Sequence, residues 1–298
     1  MPLCRLPVAL RDSIESELKR LIKDGVIVSV TEPTPWVSAL LAVMRLNGQG
    51  VRICIDPTPL NRALIRSTHY IPSLDDVLPR LADVKVFSTM DIKNAFWHLK
   101  LDRESSLLTT FQTPFGRYRW LRLAFGLSVA PEIWTSRIQA AVADLNGVYC
   151  IADDLICTGS GPDIATAVRD HDVNLIALLN RCRAKGLKLN KEKFKLNRSV
   201  VSFMGHELTT AGLRADPRKV KAIQDMPIPD DRPALQRIIG FANFLARFCP
   251  MYSEITAPLR ELLTTQNEYC WEIRHTEAFN RLKSMLASPP SASVFCTE

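Results

Sequence analysis

The chain has 298 residues, 47% hydrophobic and 23% charged, which is enough to bury a real core but more than one domain usually holds, so two or three subdomains are expected. The longest apolar run, Ala39 to Met44, is far too short to cross a bilayer, and Arg5, Arg11 and Asp12 interrupt the first residues; no signal peptide or membrane span is expected in these residues, and a soluble, unexported chain is expected. The net charge is +7, and Arg181 to Arg198 supplies it through Arg181, Arg183, Lys185, Lys188, Lys191, Lys193, Lys195 and Arg198 against Glu192 alone. Such a stripe suits a phosphate backbone, with a solvated helix face and strand as the plain alternative. The eight cysteines form no Cys-x-x-Cys pair and the histidines have no zinc-finger spacing, so reduced, mostly buried intracellular thiols are expected.

Leu10, Ile14, Leu18, Leu21 and Ile22 recur at helical spacing up to Gly25, and β-branched residues then predict a strand over Val26 to Val30. Ser38 to Met44 and Val51 to Ile55 read as a hairpin turning through Asn47-Gly48-Gln49-Gly50, with Pro57 and Pro59 breaking the pattern. Val84 to Met90 is a buried strand. Leu107 to Thr113 and Tyr118 to Leu123 flank a Pro114-Phe115-Gly116 turn, and Pro131 opens a helix carrying Ile133, Trp134, Ile138, Val142 and Leu145. Val148 to Ile151 and Leu155 to Thr158 form a hairpin with Ala152-Asp153-Asp154 at its tip, followed by a helix from about Asp163 to Lys185 that ends at Gly186. Another hairpin is expected from Val200 to Leu208, turning through Thr209 to Gly212. Helices follow: one capped by Asp216-Pro217, then Asp231 to Phe248, Ser253 to Leu263, and Thr276 to Ala287 before Pro289-Pro290. Strands and helices alternate irregularly, and no repeat interrupts them.

An Asp-Asp pair at a turn is ordinarily turn chemistry. Here the turn lies between two apolar strands, where unpaired carboxylates are costly unless a positive charge neutralises them. Asp91 ends another apolar strand, and adjacent strands in one sheet would bring it to Asp153 and Asp154; three carboxylates can then hold two Mg²⁺ ions for phosphoryl transfer. The bland reading of Asp91 is a helix cap.

The strings Phe87-Ser88-Thr89-Met90-Asp91-Ile92-Lys93-Asn94-Ala95-Phe96, Phe115-Gly116-Arg117-Tyr118, Phe125-Gly126-Leu127 with Ala130-Pro131, Ile151-Ala152-Asp153-Asp154, Gly186 to Lys191, Phe203-Met204-Gly205-His206 and Asp216 to Val220 together resemble, in order, the motifs of gypsy-type (Ty3-like) retrotransposon reverse transcriptases. The resemblance covers nearly the whole chain. It implies an α+β right-hand polymerase fold: fingers at 1–67 and 99–130, palm at 68–98 and 131–210, and a thumb with the start of a connection at 211–298. It further implies RNA-directed DNA synthesis from dNTPs with Mg²⁺ (Mn²⁺ as a substitute), on an RNA or DNA template with a primer. The catalytic and metal-binding residues would be Asp91, Asp153 and Asp154, with Lys193 protonating the departing pyrophosphate. Phe96 would be the steric gate against a 2′-hydroxyl, Arg52 and Arg45 would meet the nucleotide phosphates, and Phe125 and Gly126 would floor the pocket. Phe203, Met204, Gly205 and His206 would grip the primer.

The pattern departs from the family at Ile151, where tyrosine is usual, at Ala152, at Ala124 before Phe125-Gly126, and at Asp56-Pro57-Thr58. The chain ends at Glu298, about where a ribonuclease H domain would begin, so a fragment of a pol polyprotein without its ribonuclease H and integrase is expected, acting in the cytoplasm within a virus-like particle. A weakly active or inactive nucleic-acid-binding relic is the alternative. Another palm-type enzyme, such as a nucleotide cyclase or RNA-templated RNA polymerase, is a third reading, against which Phe96 and the primer-grip string weigh.

Overall fold

The structure, a computed structural model, describes residues 7–44, 50–66, 68–264 and 268–287. In chain order the elements are α1 (Arg11–Lys23), β1 (Ile27–Ser29), β2 (Ser38–Met44), β3 (Val51–Asp56), α2 (Thr58–Ala63), α3 (Leu74–Val77), β4 (Val84–Asp91), α4 (Arg103–Leu108), β5 (Phe111–Thr113), β6 (Gly116–Trp120), α5 (Ala130–Val142), β7 (Val148–Ile151), β8 (Asp154–Ser160), α6 (Ile164–Lys185), β9 (Lys195–Arg198), β10 (Val200–Phe203), β11 (His206–Thr209), β12 (Gly212–Ala215), α7 (Pro217–Gln224), α8 (Arg232–Phe244), α9 (Tyr252–Glu261) and α10 (Ile273–Ala287). Two compact units result. The first comprises Met1–Ser73, Met90–Leu155 and Ile176–Phe194, the second Leu74–Thr89, Ile156–Leu175 and Lys195–Glu298.

In the first unit, five strands form a sheet in the order β1-β6-β5-β2-β3. Strand β3 alternates as a one-sided strand must: Val51, Ile53 and Ile55 are buried while Arg52 and Asp56 face outward. Helix α1 lays Ile14, Leu18 and Leu21, each at most 1% exposed, into the same core as Ile27, Phe111 and Trp120. Gly25, at φ +63°, ends that helix as its position in the sequence predicts.

The segment expected to be a strand from Leu107 is different. Asp102 caps a short helix instead, its carboxylate accepting from the Ser105 amide at 2.7 Å, so α4 occupies Arg103–Leu108 and only Phe111–Thr113 is extended. Its partner β6 starts at Gly116, pairing with Thr113, and stops at Trp120, short of Leu123. Leu145 likewise lies beyond α5.

The strand order β7-β8-β4-β9 describes the sheet that carries the predicted Asp-Asp hairpin. Val84, Val86, Phe87, Ser88 and Met90 in β4 are all at most 3% exposed, and Leu155, Ile156 and Cys157 in β8 are fully buried. Two-sided burial explains why these strands read as unbroken apolar runs.

In the second unit, β10, β11 and β12 make an antiparallel meander rather than one hairpin. Met204 and Gly205, both at positive φ (49° and 77°), form the first tight turn; methionine in that position hides the signal that Asn-Gly would give. Asp216 and Asp231 cap α7 and α8 through the Arg218 and Ala234 amides. The predicted helix from Asp231 to Phe248 stops at Phe244 and gives way to a 3₁₀ turn at Ala246–Phe248. Leu235, Leu259, Phe279 and Leu282, at most 1% exposed, belong to the buried core of this helical part.

Among the described cysteines, Cys150, Cys157, Cys182 and Cys249 are buried free thiols, Cys54 is half-buried, and Cys270 is exposed. No described helix is long and apolar enough to cross a membrane.

Candidate active site

The C-terminal end of β4 and the tip of the β7–β8 hairpin meet within the first unit. The Ile92 amide donates to the Asp153 carbonyl at 3.0 Å, which fixes the backbones of the two aspartate-bearing segments side by side. A third segment completes the arrangement: the Asn190 amide donates to the Asp91 carbonyl at 2.8 Å, the Lys93 amide to the Lys188 carbonyl at 2.8 Å, and Ile92 bridges Leu189. Lys193, just beyond, donates from Nζ to Asp91 Oδ2 at 2.7 Å.

The hairpin tip is held in an uncommon conformation. Ala152 sits at φ +55°, a left-handed geometry that costs an alanine about 1–2 kcal/mol. Trp134 on α5 counters this by donating from Nε1 to the Ala152 carbonyl at 2.9 Å. Ile151, where a family tyrosine is usual, is 2% exposed and serves as core.

Negative charge is concentrated here. Burial first, then the charges of Asp153 and Asp91, raise the Asp154 carboxyl above its ordinary value, and Lys193 offsets this only in part. The hydrogen bond to Asp91, reinforced by all three aspartates, raises the Lys193 ammonium. Burial, with Asp153 and Asp154 adding to it, pushes the Cys150 thiol up to about 12, so it remains an inert thiol. Among the described residues no three His, Cys, Asp or Glu side chains form a ready-made metal cage; Asp91 is engaged by Lys193. The donor set is nevertheless the hard-oxygen chemistry that Mg²⁺ takes, and burial together with the neighbouring Asp153 and Asp91 charges makes the ionised form of Asp154 costly in the absence of a cation.

Asp91 and Asp153 line one cavity of about 420 Å³ together with Arg52, Phe96, Phe125 and Lys193. The Phe96 and Phe125 rings lie 5.0 Å apart, and the Arg52 guanidinium stands 5.6 Å from the centre of the Phe125 ring. Gly126 has φ +102°, and a Cβ on it would come 2.9 Å from the Ile55 carbonyl oxygen, so only glycine fits this loop.

The chain thus brings Asp91, Asp153, Lys193, Arg52, Phe96 and Phe125 to one cavity, with Asp154 and Gly126 beside it. Arg45 lies outside the described residues. Phe203, Met204, Gly205 and His206 belong to the second unit, where the His206 ring stacks on Phe244 (4.4 Å, 5°) and Lys219 Nζ lies 3.5 Å from the centre of the same Phe244 ring. Burial, then Arg247 and Lys219, hold the His206 imidazole down at about 4.

Sequence reasoning missed Asn61. Its side-chain amide donates to the Gly126 carbonyl at 3.0 Å and its Oδ1 accepts from the Ser128 amide at 2.9 Å, clamping the Phe125-Gly126 loop from α2. An asparagine in a helix carries no local signal for a partner so distant in sequence. Trp134 was read as helix core; its indole nitrogen is what marks its second role.

Over 98% of its length the chain superposes, with a TM-score of 0.88 at 23% identity, on 50% of the chain of a foamy viral protease–reverse transcriptase solved in complex with double-stranded DNA. The fold is therefore that of the right-hand polymerases, with fingers, palm and thumb. Residues 47–208 match the reverse transcriptase (RNA-dependent DNA polymerase) family. Across the whole sequence, the chain is 30% identical over 295 residues to the retrovirus-related Pol polyprotein from transposon 412 of Drosophila melanogaster, covering 96% of this chain and 23% of that one. It is 29% identical over 299 residues to the corresponding polyprotein from transposon opus, covering 95% and 29%. This chain belongs to the reverse transcriptase family, in agreement with the retrotransposon motifs read from its sequence. It spans about a quarter of the length of these curated relatives.

Proposed function

We propose that this chain is an RNA-directed DNA polymerase, adding dNTPs to a primer 3′-hydroxyl on an RNA or DNA template. The observation that carries the reading is the single cavity lined by Asp91, Asp153, Arg52, Phe96, Phe125 and Lys193. Asp91, Asp153 and Asp154 would hold two Mg²⁺ ions, or Mn²⁺ in their place, which would supply positive charge to the attacking hydroxyl and the reacting phosphate.

The remaining work falls to the chain's own groups. Arg52 carries a fixed positive charge for the nucleotide's phosphates, and the Phe125 ring beneath it limits where that guanidinium can go. Phe96 fills the space a ribose 2′-hydroxyl would need, and its contact with Phe125 keeps it from swinging aside. Lys193 is held protonated by the carboxylates, the state required of a donor to departing pyrophosphate. Phe203 to His206 would hold the primer end. The subdomains would be fingers at 1–67 and 99–130, palm at 68–98 and 131–210, and a thumb with the start of a connection at 211–298. The parent protein would be a pol polyprotein with ribonuclease H and integrase parts, acting in cytoplasmic virus-like particles.

Primer extension on an RNA template with dNTPs and Mg²⁺ tests the reading, with Asp153→Asn and Asp154→Asn as controls. Wild type should extend and the controls should not. If wild type binds the primer–template duplex and extends it no better than the controls, the chain is a nucleic-acid-binding relic and the polymerase reading is wrong.

A further inference from the structure

A second recess lies in the first unit, about 710 Å³ in volume, and it shares Lys93 and Asn94 with the cavity described above. Six cations line it, Arg20, Lys93, Lys100, Arg122, Lys185 and Lys188, against Asp24 as the lone carboxylate. Arg20 is already committed, with its guanidinium bonded to Glu17 and Asp24. Among the described residues the other five make no ion pair.

The backbone sets like charges against each other in pairs. Lys100 and Arg122 face one another across an antiparallel bridge, and the Lys93 amide donates to the Lys188 carbonyl at 2.8 Å. Like charges placed directly opposite are destabilising, so a fold that does this twice around one recess retains a cost that a bound anion would remove. The neutral groups of the recess agree. His98 donates from Nδ1 to the Ala95 carbonyl at 3.0 Å and accepts at Nε2 from the Lys188 amide at 3.0 Å, a geometry only the uncharged imidazole satisfies. Burial, with Lys188 and Arg122 adding to it, lowers the His98 imidazole below its ordinary range. Trp97, which also lines the recess, has its indole nitrogen buried without a partner.

We infer that this recess is a second anion site, for a compact polyphosphate such as tripolyphosphate, pyrophosphate or the triphosphate tail of a nucleotide, separated from the catalytic cavity by Lys93 and Asn94. Five cations without an ion pair among the described residues line one recess of about 710 Å³, a concentration of charge in a small volume that suits a short, dense oligoanion better than an extended strand with one charge per residue. The site stands independently of polymerase activity, because neither its lining nor its charge involves Asp153 or Asp154.

The test is a titration of the full chain with sodium tripolyphosphate in the absence of divalent metal, in 150 mM NaCl, followed calorimetrically and through the His98 imidazole resonances. Saturable one-to-one binding is expected, with the His98 titration midpoint moving up by about half a pH unit or more as the positive field is neutralised. Lys100→Ala with Arg122→Ala should weaken binding at least ten-fold, and so should Lys185→Ala with Lys188→Ala; if one pair fails to fold, the other decides. Arg52→Ala should leave the His98 response intact, because Arg52 lines the catalytic cavity and not this recess. Wild-type affinity in the folded charge variants would overturn the site. So would a response that does not saturate, which would mean diffuse surface charge screened over about 8 Å. Displacement by a single-stranded oligonucleotide at equal phosphate concentration, with the same His98 response, would reassign the recess to nucleic acid and likewise overturn the inference.

Discussion

Replacing Asn61 with alanine removes both hydrogen bonds that hold the Phe125-Gly126 loop, at 3.0 and 2.9 Å, without touching the cavity itself. A neutral hydrogen bond contributes about 0.5–1.5 kcal/mol net, and Asn61 is partly exposed, so the lower half of that range applies to each; together they come to roughly 1–2 kcal/mol. If nucleotide binding has to restore the loop, that energy is taken from dNTP affinity, and at 1.4 kcal/mol per ten-fold the KM for dNTP rises about five- to thirty-fold. The step after binding is unaffected by the clamp, so kcat should fall far less than KM rises. Asn61→Asp is the sharper variant. It keeps the acceptor for the Ser128 amide but sets a carboxylate against the Gly126 carbonyl, so its KM should exceed that of alanine. Steady-state primer extension over a dNTP series gives both constants, with thermal melting as the folding control. An unchanged KM in folded Asn61→Ala, or an aspartate variant that behaves as wild type, would refute the clamp.

Gly126→Ala should cost more than either, because the added Cβ meets a backbone oxygen that cannot turn away at 2.9 Å and the φ of +102° is strained for alanine; a loss in dNTP incorporation efficiency beyond about thirty-fold is expected, read in the same assay. Asp154→Asn should melt higher than wild type at pH 7.5 without metal: the folded-state pKa of Asp154 is raised, so its contribution to stability is present below its ordinary value of 3.8 and is lost as pH rises through the folded value, and the difference between the two proteins should close below about pH 4. His206 is shifted the other way. Depressed from 6.5 to about 4, it contributes stability that is present above pH 6.5 and lost as pH falls toward 4, so His206→Phe should flatten the acid limb of a Tm-against-pH profile, and an NMR titration should find the wild-type ring neutral at pH 6.

Much of the fold lay in local pattern. The apolar stripe of α1, the alternation of β3, the unbroken apolar runs of β4 and β8, and the aspartates that cap α7 and α8 each act within a few residues of chain, so period and capping chemistry were enough to read them. Where local signals conflicted, the reading failed. Asp102 capped α4, whose last residues, Leu107 and Leu108, the local pattern places at the start of a strand running to Thr113, and Met204-Gly205 turned the chain without the usual turn residues.

The Asp153-Asp154 pair and Asp91 were visible in the sequence as carboxylates at the ends of apolar strands, but proximity is not a property of either segment. It took the amide of Ile92 on the carbonyl of Asp153, and the 188–193 segment laid against 91–93, to bring these charges and Lys193 to one cavity. Tertiary packing likewise decided where the cations of the basic stripe went: Lys193 to Asp91, Arg181 on α6 to Asp144 just beyond α5, and Lys188 to the face of the second recess. A linear count gives a charge stripe its size. Only the tertiary structure, which joins residues far apart in the chain through backbone hydrogen bonds and helix packing, decides which of its charges meet a carboxylate and which stay unpaired.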